Sequence, residues 1–125
     1  MDNILIKRDV SDLSGIFYEG DIAFTNSGLT KYELAAVGVP MIILSNTEQQ
    51  SKYSDLFSLE GASIHLGYHA LVKDIEIIKA YNELITGEKK MKYMSDAGKK
   101  LVIGEGVKEL HKEINTSLQG VCFNE

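Results

Sequence analysis

Four consecutive apolar residues, Met41-Ile42-Ile43-Leu44, follow Gly38-Val39-Pro40 with no polar side chain among them. A strand with one wet face alternates apolar and polar residues, whereas a strand covered on both faces reads as an unbroken apolar run. This segment therefore needs one helical layer above it and another below. An all-helical bundle and an antiparallel meander with a solvated face both fail that requirement.

The flanking sequence supplies the layers. Residues 3–8 (NILIKR) form a short run of leucine and β-branched residues that predicts a strand, and residues 10–18 carry apolar spacing suited to a short helix. Asp21 opens another apolar run, residues 22–25, which stops at the turn signal Asn26-Ser27-Gly28. From Thr30 the pattern becomes helical up to Gly38, and Thr30 with Glu33 matches the S/T-x-x-E capping box. After the apolar run, polar residues 45–50 lead into a helical stretch with Tyr53, Leu56, Phe57 and Leu59, closed by Gly61. Residues 63–66 (SIHL) predict a further strand. Helical segments follow, carrying Ile75, Ile78, Tyr81, Leu84 and Ile85, then Met91, Met94 and Leu101, then Val107, Leu110 and Ile114. Gly87 and Gly104-Glu105-Gly106 punctuate them, the latter read as a helix-helix turn because no strand precedes it.

Alternating strands and helices with short connections impose parallel strands and right-handed crossovers. The expectation is a Rossmann-like three-layer α/β domain with a mainly parallel sheet of about four strands and C-terminal helices. A length of 125 residues fits a single domain, residues 1–125, with one core.

Composition narrows the function classes. The net charge of -5 argues against nucleic acid as a partner, since such binding rests on clustered Lys and Arg. No apolar run approaches the roughly 20 residues that span a bilayer, so no transmembrane segment is expected. The lone Cys122 cannot form an intrachain disulfide, which suits a reducing, cytoplasmic setting. His65, His69 and His111 are scattered and lack carboxylate or cysteine companions at ligand spacing, so no metal site is expected, and no cofactor pattern emerges. Lys89, Lys90, Lys92, Lys99 and Lys100 read as a solvated helix face.

Ligands of parallel sheets sit beyond the C-terminal strand ends, near helix N-termini, which selects the loops 26–30 and 45–50. Gly28 allows close backbone approach, and the exposed N–H groups of the following helix suit an anionic group such as a diphosphate. The same residues also read as a tight turn with Thr30 as a cap. Glu33 divides in the same way, between a cap returning to the Thr30 N–H, which the spacing favours, and a carboxylate facing a ribose diol. Glu48, Gln49 and Gln50 offer hydroxyl-binding groups, or simply a solvated helix start.

Taken together, residues 20–40 (GDIAFTNSGLTKYELAAVGVP), with Ile42-Ile43-Leu44 and Gln49-Gln50, resemble the C-terminal domain of glycosyltransferase-B enzymes. Within that family the pattern is most similar to the UDP-sugar hydrolase of pseudaminic acid synthesis, with the lipid-linked GlcNAc transferase of peptidoglycan synthesis as its relative. The resemblance implies a site for a nucleotide sugar, favouring a UDP-sugar, built from Asn26, Ser27, Gly28, Leu29, Thr30, Glu33, Gln49 and Gln50. In it Gly28 and Thr30 border the diphosphate, Glu33 binds ribose and Gln50 meets the sugar. It implies no catalytic residue in this chain, because the family's base comes from an N-terminal domain. The chain then represents the C-terminal part of a larger, two-domain or fused protein, inactive alone. Ser27 and Leu29 depart from the pattern, where the hydrolases commonly show glycine and a small hydroxyl residue, and Ser27 is expected to narrow the phosphate space. A binding or regulatory module that keeps the fold without nucleotide affinity is the competing expectation. A flavodoxin-like response domain is disfavoured for want of clustered acidic residues at the first strand end.

Overall fold

In the computed structural model, which describes residues 3–103 and 106–120, two apolar runs lie side by side as parallel strands. Strand β1 (Ala23–Thr25) pairs with β2 (Met41–Ser45) in the register Ala23 to Met41, Phe24 to Ile42 and Thr25 to Ile43. Strand β3 (Ile64–Tyr68) pairs in parallel on the other side of β2, giving the order β1-β2-β3. The helices are α1 (Ser14–Glu19), α2 (Thr30–Val37), α3 (Glu48–Leu59), α4 (Asp74–Ile85), α5 (Glu88–Leu101) and α6 (Gly106–Gly120), with a short 3-10 turn at His69–Leu71.

Strand β2 explains its own sequence. Successive strand residues face opposite sides, and here each side is a core. Met41 and Ile43 pack with Leu34, Ala35, Val39, Phe57 and Ala62 beneath α1, α2 and α3. Ile42 points the other way, into Ala80 and Leu84 of α4 and Met94 of α5. Each of these fully enclosed side chains contributes about 1.5–3 kcal/mol by leaving water. The expected α/β architecture, a parallel sheet with helices on both faces, is what the chain adopts.

Residues 3–8 correct the expected strand count, since the sheet has three strands among the described residues and this segment joins none of them. Ile4, Leu5 and Ile6 are exposed. A strand is stabilised by its ladder and its cross-strand packing, and here neither forms beside the run.

Helix α5 lies across the start of the sheet. The Met41 N–H at the head of β2 donates to Met94 Sδ at 3.4 Å, and Gly98 lets the helix close on α2. A Cβ at Gly98 would sit 3.1–3.3 Å from Ala35 atoms. Gly38 ends α2 in the left-handed region, φ 88°, with its N–H on the Leu34 and Ala35 carbonyls. The N-terminal strand ends are thus covered, and the loops leave from the opposite ends, at Thr25, Ser45 and Tyr68. The turn expected at Gly104-Glu105-Gly106 falls partly outside the described residues, as does Cys122 entirely.

Candidate functional site

The loop after β1 is shaped by its own side chains. Asn26 Oδ1 accepts the Gly28 N–H at 2.9 Å, an Asx turn that folds the chain back on itself. A Cβ at Gly28 would meet that same oxygen at 2.9 Å, so a larger residue disrupts the turn. Leu29 already has helical angles, φ -67° and ψ -27°, and occupies the cap position without a capping side chain. The expected capping box between Thr30 and Glu33 therefore does not form. The helical turn begins one residue early and moves Thr30 inside it. The N–H groups of Leu29, Thr30 and Lys31 consequently have no acceptor among the described residues. Free first-turn donors together with the helix dipole attract anions.

Ser27 turns inward. Only 7% exposed, it contacts the Ser45 hydroxyl and accepts from Ser54 Oγ at 2.7 Å. The side chain expected to crowd a phosphate thus points beneath the loop. Lys31 reaches the loop backbone from α2 and is 3% exposed. Its Nζ donates to the Ser27 carbonyl at 2.7 Å and to the Gly28 carbonyl at 3.4 Å, and lies 4.5 Å from the Tyr32 ring centre. No carboxylate pairs with it among the described residues. Burial pushes its pKa below the ordinary lysine value. Two carbonyl oxygens and a ring face thus hold the ammonium, and no carboxylate among the described residues neutralises its charge.

Glu33 is exposed and makes no hydrogen bond or ion pair among the described residues. It stands at the edge of a cleft of about 430 Å3 between α2 and the segment before α1, lined by Val10, Ser11, Asp12, Leu13 and Ala36 among others. Asp12 Oδ1 accepts the Ser14 N–H there at 2.9 Å, and this bond holds the Asp12 carboxyl below its usual range.

The second loop differs. Thr47 has extended angles and its Oγ1 accepts the Gln50 N–H at 3.1 Å, an N-cap on α3. Gln49 is exposed. Gln50 Oε1 and Ser51 Oγ are enclosed and lack partners among the described residues. Ser63 Oγ shares that condition, although enclosed polar atoms are rarely left unpaired.

A larger cavity, about 590 Å3, lies elsewhere, among Tyr32, Tyr53, Leu56, Leu59, Leu101 and Ile103. Its walls are mainly aromatic and aliphatic, with the side chains of Glu60 and Glu109 among them.

One group of residues escaped sequence reasoning. His65 does have a carboxylate companion: Asp55 Oδ1 lies 2.7 Å from its Nδ1, and its Nε2 lies 2.6 Å from Ser45 Oγ. The pair is separated by ten residues and comes together because α3 lies over β3. A β-bulge after the Ile43–His65 pair brings Leu44 opposite Gly67, which adopts φ 111°. Ile64 and Leu66 pack toward α4 and α5, and His65 faces α3. No group of metal-ligating side chains occurs among the described residues, and no helix there is long and apolar enough to cross a membrane.

Among known proteins, the chain is similar to the spore coat polysaccharide biosynthesis protein SpsG of Bacillus subtilis (strain 168), with 29% identity over 100 residues. That alignment covers 80% of this chain and 30% of the relative, so the chain spans less than a third of the relative's length. No family model and no solved structure matches the chain.

Proposed function

We propose that this chain is the nucleotide-sugar-binding part of a larger enzyme of surface polysaccharide or nonulosonic acid biosynthesis, acting on a UDP-sugar by hydrolysis or glycosyl transfer in the cytoplasm. The observation that carries this reading is the uncapped start of α2, with free N–H donors above a buried, unpaired Lys31 ammonium. A diphosphate complements both. Glu33, unengaged at the edge of the cleft between α2 and the segment before α1, suits the ribose hydroxyls, and the Gln50 amide, whose Oε1 has no partner among the described residues, suits a sugar hydroxyl once a ligand opens access to it. The likeness to a polysaccharide biosynthesis protein favours the same class of pathway. Catalysis requires a base and an opposing cleft wall in one geometry. In this reading an N-terminal domain supplies both, and the chain alone does not turn over.

The test is Glu33→Gln. Because Glu33 caps nothing, the substitution leaves thermal stability unchanged while weakening UDP binding by roughly 1.5–3 kcal/mol through loss of charge-assisted bonds. Calorimetric titration of UDP into both forms reads the result. Equal affinity for the two forms removes Glu33 from the site, and absence of binding by both this chain and the longer protein removes the function.

A further inference from the structure

A continuous polar path runs under the candidate loop, from an exposed carboxylate to a buried hydroxyl. Asp55 is 68% exposed and His65 only 2%, while Ser45 is fully enclosed. An ionised carboxylate only accepts, so the neutral His65 ring carries its proton on Nδ1 and gives it to Asp55. Nε2 is then an acceptor and must take the Ser45 O–H. Ser45 oxygen in turn accepts from Ser27, and Ser27 accepts from Ser54. Every hydroxyl therefore points the same way, from Ser54 through Ser27 and Ser45 to His65.

Adding a proton to His65 reverses that order. Nε2–H becomes a donor, Ser45 must accept from it and turn its own hydrogen to Ser27, and Ser27 must donate toward Ser54. Ser54 sits inside α3, where a serine hydroxyl can return to the helix carbonyls. No atom needs to leave its place; only the hydrogens turn. Ser27 is the residue whose carbonyl holds Lys31 and whose next N–H begins the Asn26 turn, so the loop feels the change directly.

We propose that His65, with Asp55, is a positioning residue for the loop after β1: its protonation reverses the hydroxyl chain through Ser45 to Ser27, so an anion on that loop and a proton on His65 favour each other. The groups around His65 are accounted for among the described residues. Helix α3 contributes Asp55, β2 contributes the uncharged Ser45, and α2 contributes Lys31 only through Ser27. Helices α4 and α5 meet β3 through Ile64 and Leu66 on its other face. Coupling of this kind is reciprocal and typically amounts to several-fold or more in affinity.

The anionic ligand in this proposal rests on the function proposed above, so the test has an arm that needs no ligand. In the free chain, nitrogen NMR of the His65 ring is followed against pH together with the amide resonances of Gly28, Leu29 and Thr30. The expected result is a shared midpoint for ring and amides, lost in Ser45→Ala. In Asp55→Asn, which alters only an exposed side chain and keeps the fold, the shared midpoint moves. Loop amides that ignore the His65 titration overturn the proposal whatever binds. The second arm is calorimetry with UDP-GlcNAc, whose diphosphate has no ionisation near neutrality, in buffers of different ionisation enthalpy. Proton uptake on binding and an affinity that rises several-fold as pH falls are expected, both absent in His65→Gln. Binding without proton uptake overturns the coupling and leaves the proposed function standing. Shared titration with no binding to the longer protein does the reverse.

Discussion

Two helices start at the C-terminal ends of neighbouring strands, and they start differently. Helix α3 follows β2 and is closed by its own threonine, Thr47, which takes the Gln50 N–H. Helix α2 follows β1 and has no side-chain cap, leaving its first donors open above the Lys31 ammonium. A cap satisfies a helix from within the chain. An open start leaves its donors for something else. In the proposed function the difference gives the loops different tasks: the first offers backbone donors to an anion, the second offers side chains such as Gln50 to hydroxyl groups.

The hydroxyl chain beneath the first loop sets the largest expected effect. Ser45→Ala leaves the Ser27 hydroxyl and His65 Nε2 without their shared partner in a fully enclosed position. Stranding buried polar groups costs about 1–3 kcal/mol, read by urea unfolding at neutral pH. A loss no greater than that of an exposed serine elsewhere means that the first loop is not held from below, and the contrast between the two helix starts collapses.

A smaller effect separates the caps directly. Thr47→Ala removes a formed N-cap and is expected to cost about 1 kcal/mol. Thr30→Ala removes a hydroxyl that caps nothing and is expected to cost only a few tenths of that order. Denaturant midpoints of the two variants measured side by side decide the matter. Should Thr30→Ala prove the costlier, Thr30 is the true cap and the α2 donors are not free.

The sequence was most readable where one residue's role is fixed by its immediate neighbours. The run 41–44 announced a doubly covered strand, because burial on both faces leaves no room for alternation, and Gly38 marked the end of the helix after Thr30. Residues 3–8 misled because β-branched residues declare a preference that only a neighbouring strand can satisfy. The Thr30 and Glu33 spacing misled because a cap depends on the backbone angle of the residue before it, and Leu29 had already turned helical. The Asp55–His65–Ser45–Ser27 path left almost no trace in the sequence. Its members lie on α3, β3, β2 and a loop, and only the packing of α3 over the β2–β3 pair brings them together. Lys31 was hidden for a related reason: a lysine in an amphipathic helix reads as solvated until its register against the loop carbonyls is known.

Lys31 supplies the finest distinction between the two loops, a change of slope with pH. Burial lowers its pKa in the folded chain below the unfolded value of 10.5. Between the folded and unfolded values the unfolded chain binds more protons, so stability rises as pH increases through that window. Below the folded value both states hold the proton, the slope vanishes and the full cost of burying an unpaired ammonium is present. Lys31→Met has no such proton to lose. The stability difference between the original chain and this variant is therefore constant at lower pH and shifts in favour of the original chain as the solution is made alkaline. Thr47→Ala, which touches no ionisable group, gives the same difference throughout. Urea unfolding of the three chains at a series of alkaline pH values provides the comparison. If the Lys31→Met difference is as flat as that of Thr47→Ala, the ammonium is solvated, and the first loop loses the buried charge that distinguishes it from the second.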